Sequence, residues 1–114
     1  MRLLIVGGAG FVGANLAVGL AEEHAVTVMD NLVRPGSELN LPRLAQADVR
    51  FVRADARCAE DWPQCGHDAV ILTAAQPSAI DGYENPTFDF SNNYGGVLRA
   101  LEHCRQSSCG LIFF

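Results

Sequence analysis

Four apolar residues, Leu3-Leu4-Ile5-Val6, run without a break into Gly7-Gly8-Ala9-Gly10-Phe11-Val12-Gly13, and no other feature restricts the fold as tightly. A continuous apolar run ending in glycine suits a parallel strand buried on both faces. Over Phe11 to Glu23, Val12, Leu16, Ala17 and Leu20 repeat at the three-to-four spacing of a helix packed on a sheet. The turn between them satisfies Gly-x-Gly-x-x-Gly from Gly8 and Gly-x-x-Gly-x-x-Gly from Gly7. Glycine there serves unusual backbone angles, close approach of the main chain to a pyrophosphate, and close packing of helix on strand. The helix start beyond Gly10 offers free amide N–H groups and a partial positive charge to phosphates, so no cationic side chain is needed. A strand, glycine turn and helix in this order predict a dinucleotide site.

Ala25 to Met29 reads as a second strand ending at Asp30, followed by a turn from Asn31 to Ser37 rich in Asn, Pro and Gly. The βαβ unit is thus complete within about 30 residues, as a right-handed crossover requires. A helical piece at Leu39 to Ala47 precedes a third strand, Val49 to Ala54, closed by Asp55; Asp68 to Thr73 is a fourth. A loop from Ala74 to Asn85 leads to a long helix from Pro86 to about Gln106, capped by Asn85, with Phe90, Val97, Leu98 and Leu101 as its apolar face. Gly110 then breaks the chain before a fifth strand, Leu111 to Phe114. Alternating strands and helices predict an α/β, Rossmann-type doubly wound parallel sheet in the order 3-2-1-4-5. Residues 1–114 form one coenzyme-binding domain on this reading, with the ligand across the carboxyl ends of strands one and four.

Composition narrows the function. At 114 residues, 49% hydrophobic and 18% charged, the chain has the balance of a soluble globular domain. No apolar run approaches the roughly 18 residues of a membrane span, and no cleavage site follows the first residues, so a cytoplasmic protein without a membrane partner is expected. A net charge of −5 with eight scattered arginines argues against a nucleic-acid partner. Cys58, Cys65, Cys104 and Cys109 lack the paired spacing of a zinc ribbon, and even with His67 and His103 nearby they read as packing residues and no metal site.

Asp30 stands 17 residues after Gly13 at a strand end, where a carboxylate can accept both hydroxyls of an adenosine ribose. It favours NAD, since a 2′-phosphate would meet a like charge, although Arg34 stands close in sequence. Asp55 suits acceptance of the adenine amino group with Ala56 following through its backbone, or alternatively a helix cap near Glu60. Thr73-Ala74-Ala75-Gln76 ends strand four with mostly small residues that leave room for the middle of the coenzyme. Asn93 lies two turns into the long helix, either facing the coenzyme or as an ordinary half-buried asparagine.

Taken together, the glycine turn, Asp30-Asn31-Leu32, Asp55-Ala56, Thr73-Ala74-Ala75-Gln76, Asn85-Pro86, Asn93 and Gly96 resemble the extended short-chain dehydrogenase/reductase superfamily, in particular its NAD-dependent nucleotide-sugar epimerases and dehydratases. The likeness covers the whole chain. It implies coenzyme contacts from Gly7, Gly10, Phe11, Val12, Gly13, Asp30, Asn31, Leu32, Asp55, Ala56, Thr73, Ala74, Ala75, Gln76 and Asn93. It also implies a nucleotide-sugar substrate, a hydride taken from a sugar carbon and returned, and possible homodimers of the full-length form. Gln76-Pro77-Ser78 and Asp30 to Arg34 look most like the CDP-paratose or CDP-tyvelose 2-epimerase branch. Pro77 stands where UDP-galactose 4-epimerases commonly carry lysine, and Val6 and Val97 stand where threonine is usual.

The superfamily's acid/base pair is Tyr-x-x-x-Lys beyond the fifth strand. Here Tyr83 and Tyr94 are followed four residues later by Thr87 and Leu98, and no lysine occurs. The 114 residues are therefore expected to be the N-terminal portion of such an enzyme, without its catalytic and substrate-binding part, and inactive alone. No catalytic residue is named. A non-catalytic module that senses NAD redox state and a non-functional fragment are the alternatives.

Overall fold

The computed structural model describes every residue except Cys65, so the reading of that cysteine lies outside the described residues. Five strands form one all-parallel sheet in the order β3-β2-β1-β4-β5, as the alternation predicts. They are β1 (Arg2–Val6), β2 (Ala25–Asp30), β3 (Arg50–Arg53), β4 (Ala69–Leu72) and β5 (Gly110–Phe113). Successive residues of the central strands point to opposite faces. Leu4, Val6, Met29, Val70 and Leu72 pack with Trp62, Ala100 and Cys104 on one side. On the other, Ile5, Val26, Val28 and Ile71 pack with Ala14, Ala17 and Leu44. Leu4 and Ile5 are wholly removed from water, each worth roughly 1.5–3 kcal/mol, so the strand leading to the glycine turn is the most firmly held.

The helices depart from expectation in three places. The first, α1 (Phe11–Leu20), ends before Glu23. After α2 (Leu41–Gln46), the supposed loop between Ala74 and Asn85 contains α3 (Ala79–Glu84), started by Ser78, whose hydroxyl accepts from the Asp81 N–H. The long helix is interrupted: α4 (Pro86–Phe90), capped by Asn85, gives way to a π-turn at Ser91–Gly95 before α5 (Gly96–Ser107). Its buried face is Gly96, Ala100 and Cys104, with Val97 partly covered, while Phe90, Leu98 and Leu101 are more than half exposed. Small residues at the contact let the backbone lie close to the sheet, and the π-turn sets the phase that puts them there. No described helix is long and apolar enough to cross a membrane.

The glycines between β1 and α1 separate by what each lacks a side chain for. Gly7 takes φ +79°, and a Cβ there would lie 2.5 Å from the Ala74 backbone. At Gly13 a Cβ would meet Gly7 O and Gly8 Cα at 2.5 Å, because the helix is pressed onto the turn. Gly8 faces the Val28 side chain at 2.6 Å. Gly10 differs: a Cβ would meet only Gly7 O, at 3.3 Å, and its extended φ of −71° suits any residue.

Behind the sheet, Trp62 packs against His103 with ring centroids 4.8 Å apart and planes tilted by 35°, and Nδ1 of His67 and Nε2 of His103 are buried without a partner among the described residues. Burial holds both imidazoles below their usual titration range, with His103, Arg2 and Arg50 lowering His67 further. The folded chain therefore favours neutral rings, and the unfolded chain takes up protons first as pH falls below about 6.5. Stability contributed by the pair is complete above that pH and declines below it. Urea midpoints measured from about pH 7.5 to 5.5 should fall, and His67→Gln with His103→Gln should flatten the trend. The glycine geometry gives a second expectation. Helix propensity alone would make Gly13→Ala stabilising by about 1 kcal/mol, but the backbone clash reverses the sign, with a loss of roughly 1–3 kcal/mol. Gly10→Ala should cost about 1 kcal/mol or less, through a poorer helix cap. Melting curves showing Gly13→Ala at least as stable as the parent would refute this account of the turn.

Candidate functional site

The carboxyl ends of β1, β2, β3 and β4 open into a single cleft of about 460 Å³. The glycine turn forms its floor, and Gly7, Gly10, Phe11, Val12 and Gly13 all line it. Gly10 caps α1 with no side chain, and the amides of Phe11 and Val12 have no carbonyl within the helix to bond. This end of α1 therefore faces the cleft with free donors and the positive end of the helix dipole.

Asp30 closes β2 at the opposite wall. Its Oδ2 accepts from Ala9 N at 3.0 Å and its Oδ1 from Leu32 N at 2.8 Å. Each carboxylate oxygen has two acceptor sites, so both retain one for a ligand while the group stays fixed in orientation. Leu32 itself does not line the cleft. It takes a left-handed φ of 57°, a conformation costly for leucine, and delivers its N–H to Asp30. Asn31 lines the cleft, accepting from Val33 N and reaching Asp55 at 3.5 Å.

Asp55 and Ala56 stand at the end of β3 and line the same cleft. The cap reading of Asp55 is corrected: the 3-10 turn Ala59–Asp61 starts from Cys58 without a side-chain cap, and Asp55 instead binds Arg57. Oδ1 accepts from Arg57 N and Nε, and Oδ2 from Nη2 at 2.7 Å. The Arg57 hydrogen bond, opposed by burial, brings the Asp55 carboxyl down to about 2. Asp55 is therefore ionised at neutral pH, with Oδ1 filled by two Arg57 donors and Oδ2 taking the long 3.5 Å contact from Asn31 Nδ2 beside that from Arg57. Arg57 also donates to Ser91 Oγ and lies over the Phe88 ring, tying β3 to α4.

The end of β4 supplies the remaining wall. Thr73, Ala74 and Ala75 line the cleft, and Thr73 Oγ1 donates to Val6 O at 2.9 Å, clamping β4 to the turn. Gln76 and Asn93 do not line it. Asn93 Oδ1 accepts from Gln76 N at 2.7 Å and its Nδ2 donates to Gln76 O, while Gln76 Oε1 accepts from Ser78 N. The expectation that Asn93 faces the coenzyme is thus corrected: in the π-turn its neighbour Asn92 faces the cleft, and Asn93 holds the loop behind it.

Twelve of the fifteen sequence-designated residues converge, then, and Leu32, Gln76 and Asn93 stand behind them. Sequence reasoning missed Val33, Ser37 and Pro77 in the walls, Arg57 beside Asp55, and Asn40, whose side chain donates to Ala9 O at 2.7 Å. The arginine two residues after a strand-end aspartate carried a local signal; Asn40, 31 residues from its partner, carried none. A dinucleotide fits this donor set: unclaimed amides for the pyrophosphate, an oriented carboxylate for a ribose, and at Gly10 a missing side chain whose space the protein does not fill.

Residues 3–114 match the sequence profile described as the NAD dependent epimerase/dehydratase family. CDP-paratose 2-epimerase of Salmonella typhi is 37% identical, over 99% of this chain and 36% of its own length. dTDP-glucose 4,6-dehydratase of Mycobacterium tuberculosis is 36% identical, over 93% and 33%. Among solved structures, the UDP-glucose 4-epimerase of Thermus thermophilus in complex with NAD aligns with TM-score 0.78 and 37% identity, over 95% of this chain and 35% of that one. The chain thus spans about a third of the length of the relatives it matches. It belongs to the NAD-dependent epimerase/dehydratase family and is homologous to that family's nucleotide-sugar epimerases.

Proposed function

We propose that these 114 residues are the NAD-gripping part of a nucleotide-sugar epimerase or dehydratase. The carrying observation is the pairing, across one cleft, of a helix start left bare at Gly10 with the Asp30 carboxylate held by two backbone amides. NAD, when bound, supplies a reversible acceptor for a hydride from a sugar carbon. The chain's own residues bind and orient. Amides of Phe11 and Val12 meet the pyrophosphate, Asp30 accepts from the adenosine ribose hydroxyls, and Oδ2 of Asp55 accepts from the adenine amino group in place of the long Asn31 contact. Ala74 and Ala75 let the middle of the coenzyme lie against the main chain.

Because Ala9 N and Leu32 N hold Asp30, its carboxylate cannot swing away from a 2′-phosphate, which favours NAD over NADP despite Arg34 in the wall. Proton transfer is assigned to no residue here, since neither Tyr83 nor Tyr94 has the lysine partner the family's chemistry uses. The 114 residues alone should bind NAD without turnover. The exposed stripe of Phe90, Tyr94, Leu98 and Leu101 is the face through which the full-length protein would pair with a second copy.

Calorimetry on the full-length protein tests the coenzyme reading. Asp30→Ala, which removes charge-assisted hydrogen bonds, should weaken NAD by about ten- to a hundredfold and narrow its advantage over NADP. Gly10→Ala should lose NAD binding while keeping its melting temperature close to the parent's; unchanged affinity in both variants would overturn the assignment. Turnover of nucleotide sugars by the full-length parent separates an enzyme from a module that only senses NAD. A change from dimer to monomer in Leu98→Glu with Leu101→Glu, measured by light scattering, checks the pairing surface.

A further inference from the structure

At the amino ends of the strands, away from the cleft, Cys104 and Cys109 flank the junction of α5 and β5. Cys104 ends the helix face turned to the sheet and is 7% exposed; Cys109 is half-buried against the same apolar cluster. Between them Ser108 adopts a left-handed conformation, φ 52° and ψ 38°, that reverses the chain. The reversal brings Cys109 N onto Cys104 O at 3.1 Å and leaves Cys104 Sγ 3.7 Å from Gly110 O. Standard backbone dimensions across that bond keep the two Cα atoms within about 7 Å, the reach of a disulfide. Both are free thiols. Burial, with the Cys109 thiol bonded alongside, pushes the Cys104 thiol up to about 12.

We propose that Cys104 and Cys109 form a modification site, closing an intramolecular disulfide by exchange with a low-molecular-weight disulfide such as oxidised glutathione. Cys109, the more accessible, attacks as its thiolate; the reagent's sulfur–sulfur bond breaks and one glutathione thiolate leaves. Cys104 then gives its proton to water and attacks the Cys109 sulfur, breaking the mixed disulfide and releasing the second glutathione. Two protein thiols are oxidised and one small disulfide is reduced to two thiols, so no other electron acceptor is required. Because the Cys104 thiolate is disfavoured, the second step is the slow one and quickens as pH rises. The bond would staple the last turn of α5 to the residue just before β5.

The test is peptide mapping of the full-length protein after incubation with oxidised glutathione and alkylation of remaining thiols. Trypsin cuts after Arg105, between the two cysteines, so the bridge appears as two linked peptides lighter by two hydrogens. That product is expected from the parent, forming faster as pH rises. Cys104→Ala should stop at a lasting glutathione adduct on Cys109, and Cys109→Ala should leave Cys104 unmodified over the same interval. The proposal is overturned by a parent that does not react, that retains glutathione on Cys109, or that links either residue to Cys58 or Cys65. None of these outcomes bears on the coenzyme reading, because neither cysteine lines the cleft.

Discussion

The contact between α1 and the turn that precedes it governs the rest of this structure. At Gly13 the helix lies so near the main chain of Gly7 and Gly8 that a single methyl group has no place. That closeness aims the first turn of α1 at the cleft. The same turn presents Ala9, whose carbonyl is held by Asn40 and whose N–H is held by Asp30. The free amides at the start of α1 and the Asp30 carboxylate are therefore parts of one hydrogen-bonded frame, and displacing either disturbs the other.

Electrostatics in this frame rest on fixed dipoles more than on mobile cations. Among the residues lining the cleft Arg34 is the only basic one, and Asp30 and Asp55 stand opposite the glycine turn. Asp55 is balanced by Arg57, which also carries the tie to α4. Asp30 has no such counterion among the described residues and is held by neutral N–H groups. Preorganised amides need not be reordered when an anion arrives.

The sheet and much of the cleft were legible in the sequence because both depend on local patterns. Apolar runs ending in glycine or aspartate marked the strands and the edge on which their carboxyl ends meet. Each glycine's necessity was legible as a type, but its reason was not: only the fold shows that Gly7, Gly8 and Gly13 are bare for the protein's own packing and Gly10 is not. Leu32, Gln76 and Asn93 belong to the site's scaffolding, and no spacing rule tells a wall from the support behind it. Helix phase is not legible from the large apolar residues, of which Val97 is partly covered while Phe90, Leu98 and Leu101 are exposed. Glycine, alanine and cysteine occupy the buried face instead.

The π-turn at Ser91–Gly95 has a further bearing on how this chain can vary. One residue more than an α-helical turn requires is absorbed there, so residues on either side are out of step by ~100° relative to an unbroken helix. Deleting one residue of the segment would remove that surplus and leave an unbroken helix with Ala100 and Cys104 still on the sheet, at the expense of the Asn93 contact that holds the loop. Side chains in this stretch are constrained, because Ser91 is tied to Arg57, Asn92 faces the cleft and Asn93 holds Gln76. Length is the looser constraint: homologous chains one residue shorter should place their gap here, where the helix can lose a residue and keep its face to the sheet.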